Sequence, residues 1–225
     1  MKQKPKIIVA LDVDTFAKAK YFVDKLYPEI KIFKVGSQLF TSCGPKIVEY
    51  INRKGAEVFL DLKFFDIPNT VANAVRQAVR LKVKMLTLHV SGGREMIFAA
   101  AKSAKNESRK LKLKRPLLIG VTVLTSQQAD PQEVLDLARL GLDCGLDGVV
   151  CSVRETETLR RGIKKKFLIV TPGIRQDTKT VDDQKRTATA SEAAAAGSNF
   201  LVIGRPVLEA VNPKEVIRNL FKNNM

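Results

Sequence analysis

Eight short apolar runs, each followed by a longer stretch, most of them with helical spacing, set the strongest limit on how this chain folds. The runs lie at 6–12 (KIIVALD), 31–36 (KIFKVG), 57–63 (EVFLDLK), 85–90 (MLTLHV), 116–124 (PLLIGVTVL), 148–152 (GVVCS), 167–172 (FLIVTP) and 200–204 (FLVIG). Helical patterns occupy the intervals, among them 15–26, 45–53, 71–81, 94–111, 131–145 and 191–196, and a last one follows Pro213. This alternation builds a parallel sheet, because parallel neighbours need a crossover and a helix usually supplies it. Eight consecutive units close into a (β/α)8 TIM barrel. An open doubly wound sheet would carry a glycine-rich loop after its first strand, but that position reads Leu11-Asp12-Val13-Asp14 and GxGxxG occurs nowhere. With 225 residues and no Pro/Gly/Ser-rich linker, the expected organisation is one α/β catalytic domain over 1–225.

Composition narrows the chemistry. Apolar residues at 45% and charged residues at 28% suit a packed globular enzyme. The first apolar run stops at Asp12, too short for a leader or a membrane span, so a cytoplasmic protein is expected. Cys43, Cys144 and Cys151 have no metal-ligand or CxxC spacing, and His89 is the only histidine, which argues against a histidine triad or a histidine-rich metal site. His89 itself reads as a satisfied core histidine, and Gly92-Gly93 as a tight turn near the rim. The net charge of +16 fits nucleic-acid binding, a basic host proteome or an anionic substrate. Its densest runs, 109–115 (RKLKLKR) and 160–166 (RRGIKKK), lack interleaved aromatics and read as solvated helix ends and loops, so no nucleic-acid partner is expected.

Alternate strand residues point into a barrel, and functional groups gather where the strands end. On that parity Ile8, Ala10 and Asp12 share the inner face, as do Ile32 and Lys34, and Phe59, Asp61 and Lys63. Three strands therefore deliver charge of both signs to one rim above the core, where charges must be paired or used. Asp66 follows in Asp61-x-Lys63-x-x-Asp66, and Pro68 is placed to open the next helix. One reading is an ion-pair network that closes the barrel mouth; the other is an ammonium kept protonated between carboxylates, suited to donate a proton.

The segment from Asp61 to Val71 (DLKFFDIPNTV) resembles the signature of the orotidine 5′-phosphate decarboxylase family. The likeness runs in order through Ala10-Leu11-Asp12, Lys34-Val35-Gly36, Val121-Thr122-Val123-Leu124-Thr125-Ser126, Thr171-Pro172-Gly173-Ile174-Arg175, Asp183-Gln184 and Gly204-Arg205-Pro206. The resemblance implies a cofactor-free, metal-free decarboxylase acting on orotidine 5′-phosphate as a homodimer with shared sites. It implies that Lys34, Asp61, Lys63 and Asp66 form an alternating charge array, with Lys63 the proton donor and Asp61 beside the substrate carboxylate. Asp66 and Ile67 would reach the neighbouring subunit's site. Asp12 and Lys34 would hold the ribose, Thr70 would complete those contacts across the dimer, and Thr125 would bond the pyrimidine. Pro172 would be a further substrate contact.

The phosphate end has a physical argument too, since barrels of this kind hold phosphate on the loops after strands seven and eight. Gly204 and Arg205 stand after strand eight, where a glycine admits close backbone approach and a guanidinium offers bidentate contact. Arg175 and Gln184 belong to the preceding loop, which by the same resemblance closes over the ligand. Two positions depart from the family pattern: Phe65 stands where histidine is common, and Gln176-Asp177 where proline and glycine are common. The alternatives are a magnesium-dependent sugar-phosphate decarboxylase or aldolase of the same superfamily, which would carry glutamate in place of Lys34, and a basic barrel retained as a nucleic-acid-binding or scaffold protein without turnover.

Overall fold

The eight runs form eight parallel strands. The computed structural model describes residues 4–125, 127–128, 130–175 and 187–221. The barrel strands are β1 (Lys6–Ala10), β2 (Ile32–Gly36), β3 (Glu57–Phe64), β4 (Met85–His89), β5 (Leu117–Val121), β6 (Gly148–Val150), β7 (Leu168–Thr171) and β10 (Phe200–Ile203). Each pairs with the next in sequence, and β10 pairs with both β7 and β1, which closes the barrel. Between β7 and β10 lie β8 (Ile174–Arg175) and β9 (Ala188–Thr189), a short parallel pair that the hydrophobic pattern does not announce. The fifth run ends as a strand at Val121, three residues before the apolar stretch does. The crossover after β2 is two helices, Ser37–Cys43 and Lys46–Arg53, because Gly44 takes a φ of 59° and breaks the first. The tight turn at Gly92-Gly93 is present, with Gly93 at φ 82°. Among the described residues, no helix is long and apolar enough to cross a membrane.

Strand parity sorts the core into layers. Ile8, Ala10, Ile32, Phe59, Met85, Ile119, Val170, Phe200 and Val202 pack together inside the barrel. The alternate residues, among them Val9, Phe33, Val35, Val58, Leu60, Leu86 and Leu201, pack outward against the helices. Each such fully buried side chain contributes about 1.5–3 kcal/mol. The helices begin where the sequence places caps: Thr15 accepts from the Lys18 N–H, Asp130 from the Gln132 N–H, and Thr189 forms a reciprocal box with Glu192.

The rim at the strand N-termini is held by two basic residues from the runs expected to be solvated. Arg115 pairs with Asp147, whose other oxygen accepts the Leu118 N–H. Arg160 donates to Gly197 O at 2.9 and 3.1 Å, to Phe167 O at 2.9 Å and to Asn199 Oδ1 at 2.6 Å, and it stacks over the Phe167 ring. Asn199 Oδ1 also accepts the Ile169 N–H, so one guanidinium ties the entries of β7 and β10 to the helix Val153–Gly162. A planar five-donor group is needed for this, and an ammonium cannot replace it. Arg160→Ala is expected to lower the unfolding free energy by about 2–3 kcal/mol in urea titration, and Arg160→Lys to recover less than about half of that.

Candidate active site

At the opposite rim the inward parity ends in charge. Asp12 follows β1, Lys34 lies on β2, and Asp61 and Lys63 lie on β3. The Lys34 ammonium is 2.8 Å from Asp12 Oδ1 and 3.5 Å from Asp61 Oδ2, and the Lys63 ammonium is 3.0 Å from the same Asp61 oxygen. The order across the mouth is therefore Asp12, Lys34, Asp61, Lys63, with signs alternating. Asp61 and Lys34 are nearly enclosed, their side chains 13% and 11% exposed, whereas that of Lys63 is 38% exposed toward the cavity.

Enclosure alone would neutralise both inner groups. For Asp61, burial pushes the carboxyl up, but the Lys34 and Lys63 ammoniums outweigh it and hold the carboxyl below its ordinary value. For Lys34, burial pushes down, while Asp61 and Asp12 together hold the ammonium above its ordinary value. Both stay charged because each is the other's counter-ion.

Local backbone geometry makes this arrangement possible. Leu60 pairs with Leu86 and Phe64 with Leu88, so Asp61, Leu62 and Lys63 stand opposite the single residue Thr87 in a bulge. Within it Lys63 adopts a left-handed φ of 51°, unusual for a residue with a side chain. The Lys63 N–H donates to Thr87 Oγ1 at 2.9 Å, and that hydroxyl donates to Asp61 Oδ1 at 3.0 Å. Beside them Gly36 leaves the space that Lys34 uses: a Cβ there would lie 3.0 Å from the Lys34 ammonium and 3.4 Å from Asp12. Neither Thr87 nor Gly36 is assigned a role by the sequence: Gly36 enters only as the last residue of Lys34-Val35-Gly36, and no motif includes Thr87.

The charges line one wall of a cavity of about 590 Å³. Its floor is apolar, with Ala10, Phe59, Val121, Val170 and Val202, and the far wall carries Thr125, Pro172, Arg175, Gly204 and Arg205. Arg205 opens the helix Arg205–Leu208. Arg175 is a buried residue of β8, with one guanidinium nitrogen donating to Ile174 O. A Cβ at Gly204 would meet only ordinary contacts among the described residues, with Ala10 and Asp12 at 3.5 Å. Nine of the expected site residues thus face one cavity: Asp12, Lys34, Asp61, Lys63, Thr125, Pro172, Arg175, Gly204 and Arg205.

Asp66, Ile67 and Thr70 do not line it. Asp66 is exposed and accepts the Ile67 N–H at 2.6 Å, Ile67 is 67% exposed, and Thr70 lies exposed in the first turn of the helix Pro68–Arg80. Gln184 lies outside the described residues. His89 is not the core histidine expected: it is partly buried near the rim, its ring 5.7 Å from the exposed Phe65. Burial and the Lys63 charge lower its pKa.

The sign of the Asp61 shift fixes a pH effect. Because its folded pKa is depressed, its stabilising contribution is fully present above the unfolded value of about 3.9 and is lost as pH falls through the folded value. Lys34→Met removes one of the two ammoniums that hold the Asp61 carboxyl down, so the folded carboxyl should titrate higher. The acid unfolding midpoint, followed by circular dichroism, is expected to move to higher pH than in the unaltered protein; coincident midpoints would contradict the coupling.

Residues 5–220 match the model of the Orotidine 5'-phosphate decarboxylase / HUMPS family. A Syntrophomonas wolfei protein named orotidine 5'-phosphate decarboxylase is 45% identical over 228 residues, covering 96% of this chain and 95% of its own. A Coxiella burnetii protein of the same name is 44% identical, covering 99% and 98%. The crystal structure of orotidine 5'-phosphate decarboxylase from Lactobacillus acidophilus superposes with a TM-score of 0.85 at 34% identity, covering 98% of both chains. A closed barrel, a family model that spans residues 5–220 and relatives matched along nearly their whole length agree: the chain belongs to the orotidine 5'-phosphate decarboxylase / HUMPS family.

Proposed function

We propose that the chain converts orotidine 5′-phosphate to UMP and carbon dioxide, the last step of de novo UMP synthesis, and that Lys63 protonates the carbon that loses the carboxylate. The full-length relatives named for this activity support the decarboxylase branch of the family. The observation that carries the mechanism is the Asp61 carboxylate held between two ammoniums at the mouth of an apolar cavity.

Loss of carbon dioxide leaves an electron pair at C6 that no adjacent carbonyl delocalises. The stabilisation must then be electrostatic, and a fixed ammonium in a poorly solvated site supplies it with little reorganisation. Lys63 is the more exposed of the two lysines toward the cavity, so it is the one assigned to meet C6 and deliver the proton. Asp61 would lie beside the substrate carboxylate, where like charges repel until carbon dioxide departs. Lys34 keeps Asp61 ionised and, with Asp12, would hold the ribose hydroxyls. Thr125 would meet the pyrimidine and Pro172 would line the ligand, while Arg175, Gln184, Gly204 and Arg205 would receive the phosphate. Binding energy from that remote group would organise the charged end.

The magnesium-dependent branch needs an acidic metal ligand where Lys34 stands. Here an ammonium lies between Asp12 and Asp61, so it occupies the place between the carboxylates and repels a divalent ion. The proposed chemistry therefore places no metal between these carboxylates, and the reading carries no cofactor. Purified protein is expected to deplete the orotate absorbance of orotidine 5′-phosphate in excess EDTA. Lys63→Ala should abolish that depletion, a loss of at least about 10³-fold, with an unchanged circular dichroism spectrum. Depletion that needs magnesium would favour the other branch, and near-normal turnover by folded Lys63→Ala would remove the assigned donor.

The reading includes a homodimer. Asp66, Ile67 and Thr70 stand outside their own cavity, and Phe65, Ile67 and Phe98 leave large apolar surfaces exposed at 62%, 67% and 64%. Under two-fold symmetry Asp66 and Ile67 would enter the partner's site, with Thr70 completing the ribose contacts there. No nucleic-acid partner is proposed, a reading supported by the engagement of Arg115, Arg160, Arg161 and Lys165 with acceptors of the chain itself. The three unbridged cysteines support a cytoplasmic location. Lys63→Ala and Asp66→Ala homodimers should each be nearly inactive. After co-refolding in equal amounts, roughly a quarter of the original activity should return, since about half the dimers are mixed and half their sites intact. Activity that stays at the level of the single variants, with mixed dimers confirmed, would contradict the shared site.

A further inference from the structure

We propose that Thr87 is a positioning residue for the reaction: its hydroxyl sets the backbone of Lys63 and the carboxylate of Asp61 relative to each other. The proposal rests on the roles just assigned to those two residues. Thr87 lies on the inner face of β4, is fully buried and does not line the cavity, so it acts through its neighbours.

The bulge creates the need. With Asp61, Leu62 and Lys63 opposite one residue, β3 loses its regular ladder contacts to β4 where the two charged side chains emerge. The Lys63 N–H would be left without a strand acceptor in a partly buried place, a cost of up to about 1–3 kcal/mol. A left-handed φ at a lysine adds a further cost of order 1–3 kcal/mol, and such a conformation persists only where its surroundings hold it. Thr87 Oγ1 meets both needs. It accepts from the Lys63 N–H at 2.9 Å, and its single proton goes to Asp61 Oδ1 at 3.0 Å. The other Asp61 oxygen is then presented to the two ammoniums, at 3.0 and 3.5 Å. One hydroxyl thus divides the carboxylate into an anchored oxygen and a working one, and fixes the backbone from which the lysine extends.

A hydroxyl in this place has a distinct kinetic signature. Valine has the shape of threonine but neither donates nor accepts, alanine lacks both hydroxyl and bulk, and serine keeps the hydroxyl. Misplacement of a reacting group by about 1 Å costs up to about 10²-fold in rate. Thr87→Val and Thr87→Ala are therefore expected to lower kcat by about 10–100-fold with KM within about threefold, because the phosphate and ribose contacts lie elsewhere. Thr87→Ser should restore kcat to within about threefold of the original. Lys63→Ala is assayed alongside. If it is inactive while Thr87→Val turns over normally, Thr87 has no positioning role; if Lys63→Ala is active, the site assignment itself fails. Loss in the serine variant equal to that in alanine would mean that bulk matters and not the hydroxyl. Failure of both the valine and alanine variants to fold would make Thr87 a folding residue, and would also overturn the proposal.

Discussion

A carboxylate that must stay ionised where water scarcely reaches it governs the functional end of this barrel. Asp61 is held in that state by Lys34 on one side and Lys63 on the other, and by the Thr87 hydroxyl beneath. Each neighbour is in turn fixed by another contact: Lys34 by Asp12, Lys63 through its backbone N–H. Removing Asp61 would leave the buried Lys34 ammonium with only the half-exposed Asp12 as counter-ion, and breaking a buried pair in this way costs far more than the small net gain the intact pair brings. The array is therefore conditional on completeness, and its residues come from three different strands and the loop that follows the first.

What makes completeness attainable is the packed interior below. Phe59, Met85, Ile119 and Val170 fill the barrel at mid-height, so the charged side chains rest on a floor that cannot collapse around them. The same floor limits water access from beneath and raises the strength of each electrostatic contact at the mouth. Local strain at Lys63 is tolerated on this rigid base, as the surrounding layers over-determine the bulge.

Much of this was legible in the sequence, and the remainder was hidden for identifiable reasons. The strand order followed from β-branched and apolar runs separated by helical spacing, and the inward placement of Asp12, Lys34, Asp61 and Lys63 followed from a period of two. The bulge was invisible because lysine has no special preference for a left-handed backbone. Thr87 was invisible because MLTLH reads simply as a short, largely apolar strand. The role of Arg160 is hidden in the sequence because a run of basic residues has the same appearance whether water or three carbonyl-type acceptors surround it. The strands β8 and β9, two residues each, are too short for any periodicity to register. Asp66, Ile67 and Thr70 stand apart from the cavity, because the period of two ends with β3 at Phe64 and beyond it no longer says which way a side chain faces.

The Arg160 clamp sits at the entries of β7 and β10, whereas Gly204 leaves the far end of β10. From Asn199 to Gly204 the strand rises roughly 16 Å. At that separation substitutions are close to thermodynamically additive. The barrel can accumulate or lose stability at one face without moving the electrostatics at the other. A substitution at the Arg160 rim can therefore change heat tolerance while leaving turnover at the charged mouth as it was.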